Sequence, residues 1–325
     1  MNNFINFSNL VILTLIPLMV VSIGAMISER GGVTNIALEG IMIFSAAIGI
    51  IVVNALEGSM SNTPQLLFLV GTLVAVITGI AFSALHAFAS INLNADQIIS
   101  ATALNIFAPA SVLFLTMTLN LGEKLGSDIL PVNSSLFRIR EVPFLSRIPI
   151  IGPIFFKNVY LSLYIGILVL VASYFVLYKT KLGLRIRSCG ENPHASDAAG
   201  INVYKTRYIG VLTSGALAGM GGFFLISNIY NNYHASVAGF GFLAMAVMIF
   251  GNWRPFRIFF AAIFFSILRV LANAISYVPF LEDLELSIYV YNMLPFISTL
   301  VVLVLSSKSS AAPKSIGQPF YKGNR

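Results

Sequence analysis

Very few charged side chains in this sequence lie among apolar residues, and those few are the natural places to look for chemistry. Glu39 and Arg269 fall inside long hydrophobic stretches, and Asp96 stands at the edge of another. Ionisable groups at membrane depth are expensive to bury, so they mark either a solute pathway or a strong structural partner. For Glu39 three readings stand side by side: a partner for Arg30, a group at the N-terminal end of a broken helix, or a residue on a translocation path. Asn35, Asn105 and Asn273 lie in or beside the same stretches. Each is a candidate for hydrogen bonding a sugar or base in transit, and equally for bonding a neighbouring helix.

Other chemistries are poorly served. His86, His194 and His234 are far apart in sequence, and the single cysteine, Cys189, cannot form a thiolate cluster or an internal disulfide. No metal site or cofactor is implied. The sequence contains no Gly-x-x-x-x-Gly-Lys-Ser/Thr loop to cradle ATP phosphates, no nucleophile elbow and no pair of acids on one face of a hydrophobic stretch. An enzyme is therefore not expected, and any energy for work must come from a separate subunit.

The elements that would position these residues are membrane helices. Hydrophobic residues make up 57% of the 325 and charged residues only 10%, with a mean hydropathy of +0.88, more than one water-soluble core could conceal. In lipid every backbone polar group must pair within its own element, which favours helices of about 20 residues. The expectation is an all-α polytopic bundle of about 8–10 spans forming one transmembrane domain over residues 1–325. Spans are placed at 10–27, 36–56, 66–88, 98–119, 159–178, 208–226, 240–251, 256–275 and 287–305. The first is read as a retained helix, because no Lys or Arg precedes it and 29–32 is a poor cleavage context. The seventh is too short for the full hydrocarbon thickness and the second contains Glu39, so either is a candidate for a re-entrant or broken segment.

Sidedness follows from the cations. Thirteen of the 19 Lys and Arg residues fall on the side that carries Arg30, 179–207, Arg254, Arg257 and the C-terminal tail, against five on the other. Retention of positive charge makes the richer side cytoplasmic. The net charge of +7 flanks membrane helices without forming a soluble basic face, so the expected partner of that charge is anionic membrane lipid and not nucleic acid.

Two polar segments interrupt the spans. The outer one, 120–158, carries Pro131, Pro143, Pro149 and Pro153, which exclude a long helix and suggest a partly ordered cap. The inner one, 179–207, contains a short helix with clear punctuation. Asn192 is a good N-cap, Pro193 suits the first helical position, small residues follow, and Gly200 supplies the left-handed conformation that ends a helix. From spacing alone, this is either a connecting loop or a shape built for packing against something else.

Resemblance shifts that balance. Glu191-Asn192-Pro193-His194-Ala195-Ser196-Asp197-Ala198-Ala199-Gly200-Ile201-Asn202, followed by Ser214-Gly215-Ala216-Leu217-Ala218-Gly219, resembles the cytoplasmic signature of ABC-importer permeases for branched-chain amino acids, ribose-type sugars and nucleosides. Glu29-Arg30-Gly31-Gly32-Val33-Thr34-Asn35-Ile36-Ala37-Leu38-Glu39-Gly40 is similar to that family's other hallmark. The likeness is nearest the nucleoside and simple-sugar branch. It implies that 191–200 is a coupling helix seated on a separate cytoplasmic ABC ATPase, with Glu191, Asn192, Pro193, Ala195, Ser196, Ala199 and Gly200 at the contact. It also implies a second permease, a paralogue or another copy, and an extracytoplasmic substrate-binding protein. Gly215 and Gly219, four apart, read as a close helix contact. The competing expectations are an ion-coupled secondary transporter, a branched-chain amino acid ABC permease, and a membrane scaffold that moves nothing.

Overall fold

The computed structural model describes residues 2–119, 128–143, 151–273 and 312–322, with a few isolated positions between them. Six helices are long and apolar enough to cross a bilayer: α1 (Asn2–Arg30), α2 (Leu38–Met60), α3 (Pro64–Ala87), α4 (Gln97–Thr118), α6 (Leu161–Lys179) and α9 (Val203–Ile229). They answer the first six expected spans. The sixth begins five residues before the expected 208, because Asn202 caps it by accepting a hydrogen bond from the Lys205 amide at 2.9 Å. Between α9 and α11 (Pro255–Asn273) lies α10 (Phe240–Phe250), whose 11 residues cover about 16 Å, half of a hydrocarbon core. The expected span at 287–305 and the side chain of Asn273 lie outside the described residues.

Away from the spans, the described residues of the outer segment form two short strand pairings. Strand β1 (Leu130–Pro131) pairs antiparallel with β4 (Asn232–Tyr233) just after α9. Strand β2 (Arg138–Glu141) pairs with β3 (Lys157–Tyr160), with α5 (Ile151–Phe155) between them. On the opposite end of the bundle, here the basic end, α7 (Lys181–Glu191) and α8 (Pro193–Ala198) fill the inner segment.

The core is organised around α9. Glycines along this helix meet backbone directly: a Cβ at Gly215 would run into the Gly79 carbonyl and Ser83 of α3, one at Gly219 into the Ala75 carbonyl, and one at Gly222 into Met42 of α2. Lipid supplies no hydrophobic drive between helices, so this backbone-to-backbone approach and its dispersion contacts replace it. Around that contact Phe68 stacks on Phe224 and packs at a tilt against Phe223. By contrast α4 and α6 are mostly exposed and present Ile106, Phe107, Phe114, Leu168 and Phe175 outward. These faces belong to lipid or to other subunits.

A pair of alanine substitutions separates packing from propensity. Gly215→Ala should lower stability by about 1–3 kcal/mol through overpacking. Gly58→Ala, where a Cβ meets nothing within 4 Å, should be neutral or stabilising by up to about 1 kcal/mol. Thermal unfolding of the two variants in the same detergent checks the contrast; equal shifts would mean that the α3–α9 contact is not tight.

Candidate functional site

Two stretches of non-helical backbone penetrate the bundle, and the sequence-predicted polar residues gather on them. The first, residues 31–37, joins α1 to α2. A break inside an apolar bundle leaves amide groups that water cannot reach, and each must find a side chain. Ser28 donates to the Val33 carbonyl at 2.7 Å, and the Thr34 amide donates to Gln97 Oε1 at 2.7 Å. His86 is fully buried, with Nε2 2.9 Å from the Thr34 carbonyl and Nδ1 3.1 Å from the Ser100 hydroxyl. Since a carbonyl can only accept, Nε2 carries the proton. Asn105 closes the segment, donating to the Ile36 carbonyl at 3.0 Å and accepting from the Gly40 amide at 2.8 Å.

Asn35 points into α9, where its Nδ2 donates to Ser214 Oγ at 3.0 Å while its Oδ1 is buried without a partner. Ser214 lies eleven residues from Val203, about 16 Å along α9, so the first break reaches close to half-depth.

The second break, 230–239, descends from the opposite end. Tyr233 donates to the Ile43 carbonyl of α2 at 2.8 Å, and Ala235 and Ala238 take left-handed φ angles of 51° and 53°. Such conformations cost non-glycine residues about 1–2 kcal/mol each and persist only where surroundings impose them. Glu39 closes the stretch. Its carboxylate accepts from the Gly239 amide at 2.9 Å and the Gly241 amide at 2.6 Å, capping the N-terminus of α10. Arg269 donates to the Ala238 carbonyl at 3.0 Å and lies over the Phe240 ring. Of the three sequence readings of Glu39, the broken-helix cap is the one the structure builds; the broken helix is α10, and Arg30 goes elsewhere.

Arg30 holds the other end of α10. Its Nε and Nη2 donate to the Trp253 carbonyl at 3.2 and 2.9 Å, and the Trp253 indole donates to Glu29 Oε2 at 2.6 Å. The hallmark 29–40 thus clamps α10 with an acid near each end, and α10 lies as a splint across the gap between α1 and α2. The sequence offered Glu39 and Arg30 as candidates but gave no signal for Trp253 as the residue that Arg30 and Glu29 hold.

At the basic end α8 has the expected punctuation. Asn192 Oδ1 accepts from the Ala195 amide at 2.9 Å, Pro193 begins the helix, and Gly200 stands at φ 80°. Glu191, Asn192, Ala195, Ala199 and Gly200 are exposed, whereas Pro193 and Ser196 are buried against the body of the protein. The exposed five form the face a partner can reach; the other two anchor the helix. Helix α7, for which the sequence carries no clear signal, holds α8 and approaches α1 through Gly190, where a Cβ would strike the Arg30 carbonyl.

A second feature went unread in the sequence. The tail, 312–322, straps this end: the Ser315 amide donates to the Gly190 carbonyl at 2.9 Å, the Gly317 amide to the Gly32 carbonyl at 3.3 Å, and Arg207 Nη1 to the Gln318 carbonyl at 3.0 Å. Phe320 packs on His194 and Tyr204 and closes a small core with Cys189 and Val203. The only advance signal is a Pro-Lys-Ser-Ile-Gly-Gln-Pro-Phe-Tyr run after the last apolar stretch, which composition does not distinguish from a linker.

A bundle with broken helices at half-depth and a capped knob at its basic end is the architecture of a membrane permease, and the comparisons give its kind. The chain belongs to the family described as branched-chain amino acid transport system / permease component, which matches residues 8–304. It is a multi-pass protein of the cell membrane and a permease component, not a catalytic enzyme. Among its relatives is the nucleoside ABC transporter permease protein NupC of Lactococcus lactis subsp. cremoris, 40% identical over 316 residues, covering 94% of this chain and 93% of the relative. The guanosine ABC transporter permease protein NupQ of Bacillus subtilis is 38% identical over 310 residues, 95% and 94% of the two chains. A putative glucose ABC transporter permease of Haloferax volcanii is 31% identical over 261 residues, 78% and 73%. No solved structure matches the chain.

Removing the α10 cap has a defined cost. Glu39→Ala leaves two buried amides without an acceptor and should destabilise the protein by about 3 kcal/mol, while Glu39→Gln, which keeps one acceptor oxygen, should lose about half as much. Thermal unfolding in detergent reads both, and an unchanged midpoint for Glu39→Ala would remove the capping role. The strap is tested through Cys189, the lone thiol. Burial pushes its pKa up, so thiolate is scarce at neutral pH and maleimide labelling should be slow, rising as the pH is raised. Phe320→Ala should open the small core and speed labelling about tenfold or more at fixed pH. Equal rates would mean that the tail does not cover α7.

Proposed function

We propose that this chain is the membrane-spanning permease subunit of an ATP-driven importer for nucleosides, with simple sugars as the neighbouring solute class. The observation that carries the reading is the near-full-length likeness to two permeases named for nucleoside and guanosine transport, at 40% and 38% identity. The hydrolysing subunit is a separate ABC ATPase on the basic, cytoplasmic end. A binding protein delivers solute at the opposite face, and a second permease, paralogous or identical, completes the pathway.

The coupling helix is α8. Its support is geometric: a short helix fixed by Asn192, Pro193 and Gly200 exposes the small side chains of Ala195, Ala198 and Ala199 beside His194, a face that a partner's cleft can close over. Pro193 and Ser196 tie it to α7 and α9, so force on α8 reaches the bundle without being lost in a loop. Domain-wide, residues 1–325 act as one transmembrane unit, with 120–158 as the outer cap and 179–207 as the coupling segment. Asn35 is the pathway candidate that keeps an unused buried acceptor at half-depth; Glu39 and Asn105 instead hold the breaks that shape the path. Asn273, at the end of α11, is retained as a pathway candidate on sequence grounds.

Uptake of labelled guanosine, uridine, ribose and leucine by cells expressing the full assembly ranks the solutes; nucleosides should dominate. Leucine dominance would move the chain to the amino acid branch, and uptake surviving ATP depletion with the ion gradient intact would exclude ATP coupling. Ala199→Trp, on the exposed face of α8, should reduce uptake about tenfold or more while the protein still inserts. Undiminished uptake would take α8 out of the docking role.

A further inference from the structure

Four arginines converge where α6, α7 and the turn between α10 and α11 meet the last turn of α1. Arg30, Arg187, Arg254 and Arg257 line one cavity of about 580 Å³ together with Tyr174 and Tyr178. Among the described residues none of the four is in an ion pair; the pair present joins Lys157 to Glu141 on the strands at the other end. Glu191 acts electrostatically on Arg30 without pairing with it. Arg30 spends Nε and Nη2 on the Trp253 carbonyl, but Arg187 lies over the Tyr178 ring with its Nε buried and unpartnered, and Arg254 and Arg257 are exposed. Like charges sharing a cavity repel, and the arrangement is relieved by an anion that all four can reach. The first turn of α11, beginning at Pro255, adds amide groups with no intrahelical partner to the same wall.

The geometry points to a binding site for the phosphate headgroup of an anionic glycerophospholipid. On α6, which lends Tyr174 and Tyr178 to the cavity wall, Val171 and Phe175 beside Tyr174 are exposed and apolar. On that side the Tyr174 and Phe256 rings pack 5.1 Å apart, and both are substantially exposed. An apolar wall next to a guanidinium cluster at the basic boundary matches acyl chains leaving a headgroup, with tyrosines at headgroup level. A free phosphate would use the arginines but not that wall. The site binds the turn after α10 to α6 and α7, so an occupied cavity joins the splint to the arm that carries α8.

Native mass spectrometry of the full chain, titrated separately with dioleoyl phosphatidylglycerol, dioleoyl phosphatidylcholine and inorganic phosphate, tests this. The wild type should retain one phosphatidylglycerol, about tenfold or more in preference to phosphatidylcholine. Arg254→Gln with Arg257→Gln, both exposed positions, should weaken retention about 25-fold, about fivefold for each cation. Lys205→Gln with Lys322→Gln removes the same charge at the same end but outside the cavity, and should change retention less than about twofold. Unchanged retention in the arginine pair, or equal loss in the lysine pair, would overturn the site. Displacement of the lipid by millimolar inorganic phosphate would make it a phosphate site instead. If an arginine-specific reagent were blocked by a co-purified ATPase subunit and not by the lipid, the cavity would be a subunit interface.

Discussion

The structure depends on one constraint: backbone that leaves the helix inside an apolar bundle must have its amides and carbonyls satisfied by side chains. In water the stretch from Gly31 to Ala37 would be an ordinary loop. Here it runs beside α9 to the level of Ser214, and the interior side chains that bond across elements to backbone gather on it and on the matching stretch before α10, whereas buried hydroxyls such as Ser22, Thr72 and Thr116 bond back into their own helices. Ser28, His86, Gln97 and Asn105 serve the first; Glu39, Tyr233 and Arg269 serve the second. An unmade buried hydrogen bond costs about 1–3 kcal/mol, more than the roughly 0.5–1.5 kcal/mol that a made one contributes net, so these residues are needed as a set.

The same accounting explains why two acids and an arginine stand where lipid-facing helices would not tolerate them. Glu39 is 8% exposed and Glu29 5%, yet each is turned to a donor: the amides at the start of α10 and the indole of Trp253. A carboxylate at a helix N-terminus meets both hydrogen-bond donors and the positive end of the helix dipole, which offsets part of the desolvation that isolates it from water. A helix as short as α10 has little intrinsic stability, and its two ends are fixed by neighbours rather than by its own length. The splint is rigid for that reason.

Much of this was legible in sequence, and the boundary between what was and was not is physical. Spans 1 to 6 are readable because hydrophobic length has one dominant solution in lipid. Helix α8 is readable because Asn192, Pro193 and Gly200 act locally, within one turn of their positions. Glu39 was recognisable as anomalous, but its partners at Gly239 and Gly241 are two hundred residues away, and nothing in local spacing encodes that meeting. The sequence lets Asn105 face solute or another helix; its Nδ2 donates to the Ile36 carbonyl and its Oδ1 accepts from the Gly40 amide. Helix α7 escaped because its charged, glycine-containing pattern is stabilised by docking on α1 and α6 and not by propensity. The tail escaped for the same reason, since Phe320 has meaning only beside Cys189, Val203 and Tyr204.

These placements bear on how motion at α8 could reach the path. Helix α8 is continuous with α7 through the shared Asn192 cap, and α7 touches the α1 end through Gly190. The tail ties Gly190, Gly32 and Arg207 together, so the knob, the first break and the foot of α9 form one block. From that block the load divides: along α9 to Ser214 and Asn35, and through Glu29, Arg30 and Trp253 into α10, whose far end is held at Glu39. Both routes end at half-depth on the two breaks, where side-chain hydrogen bonds stand in for the helical ladder. Under the proposed function, a push at α8 would enter through the block that the strap holds together and would be felt at the two breaks.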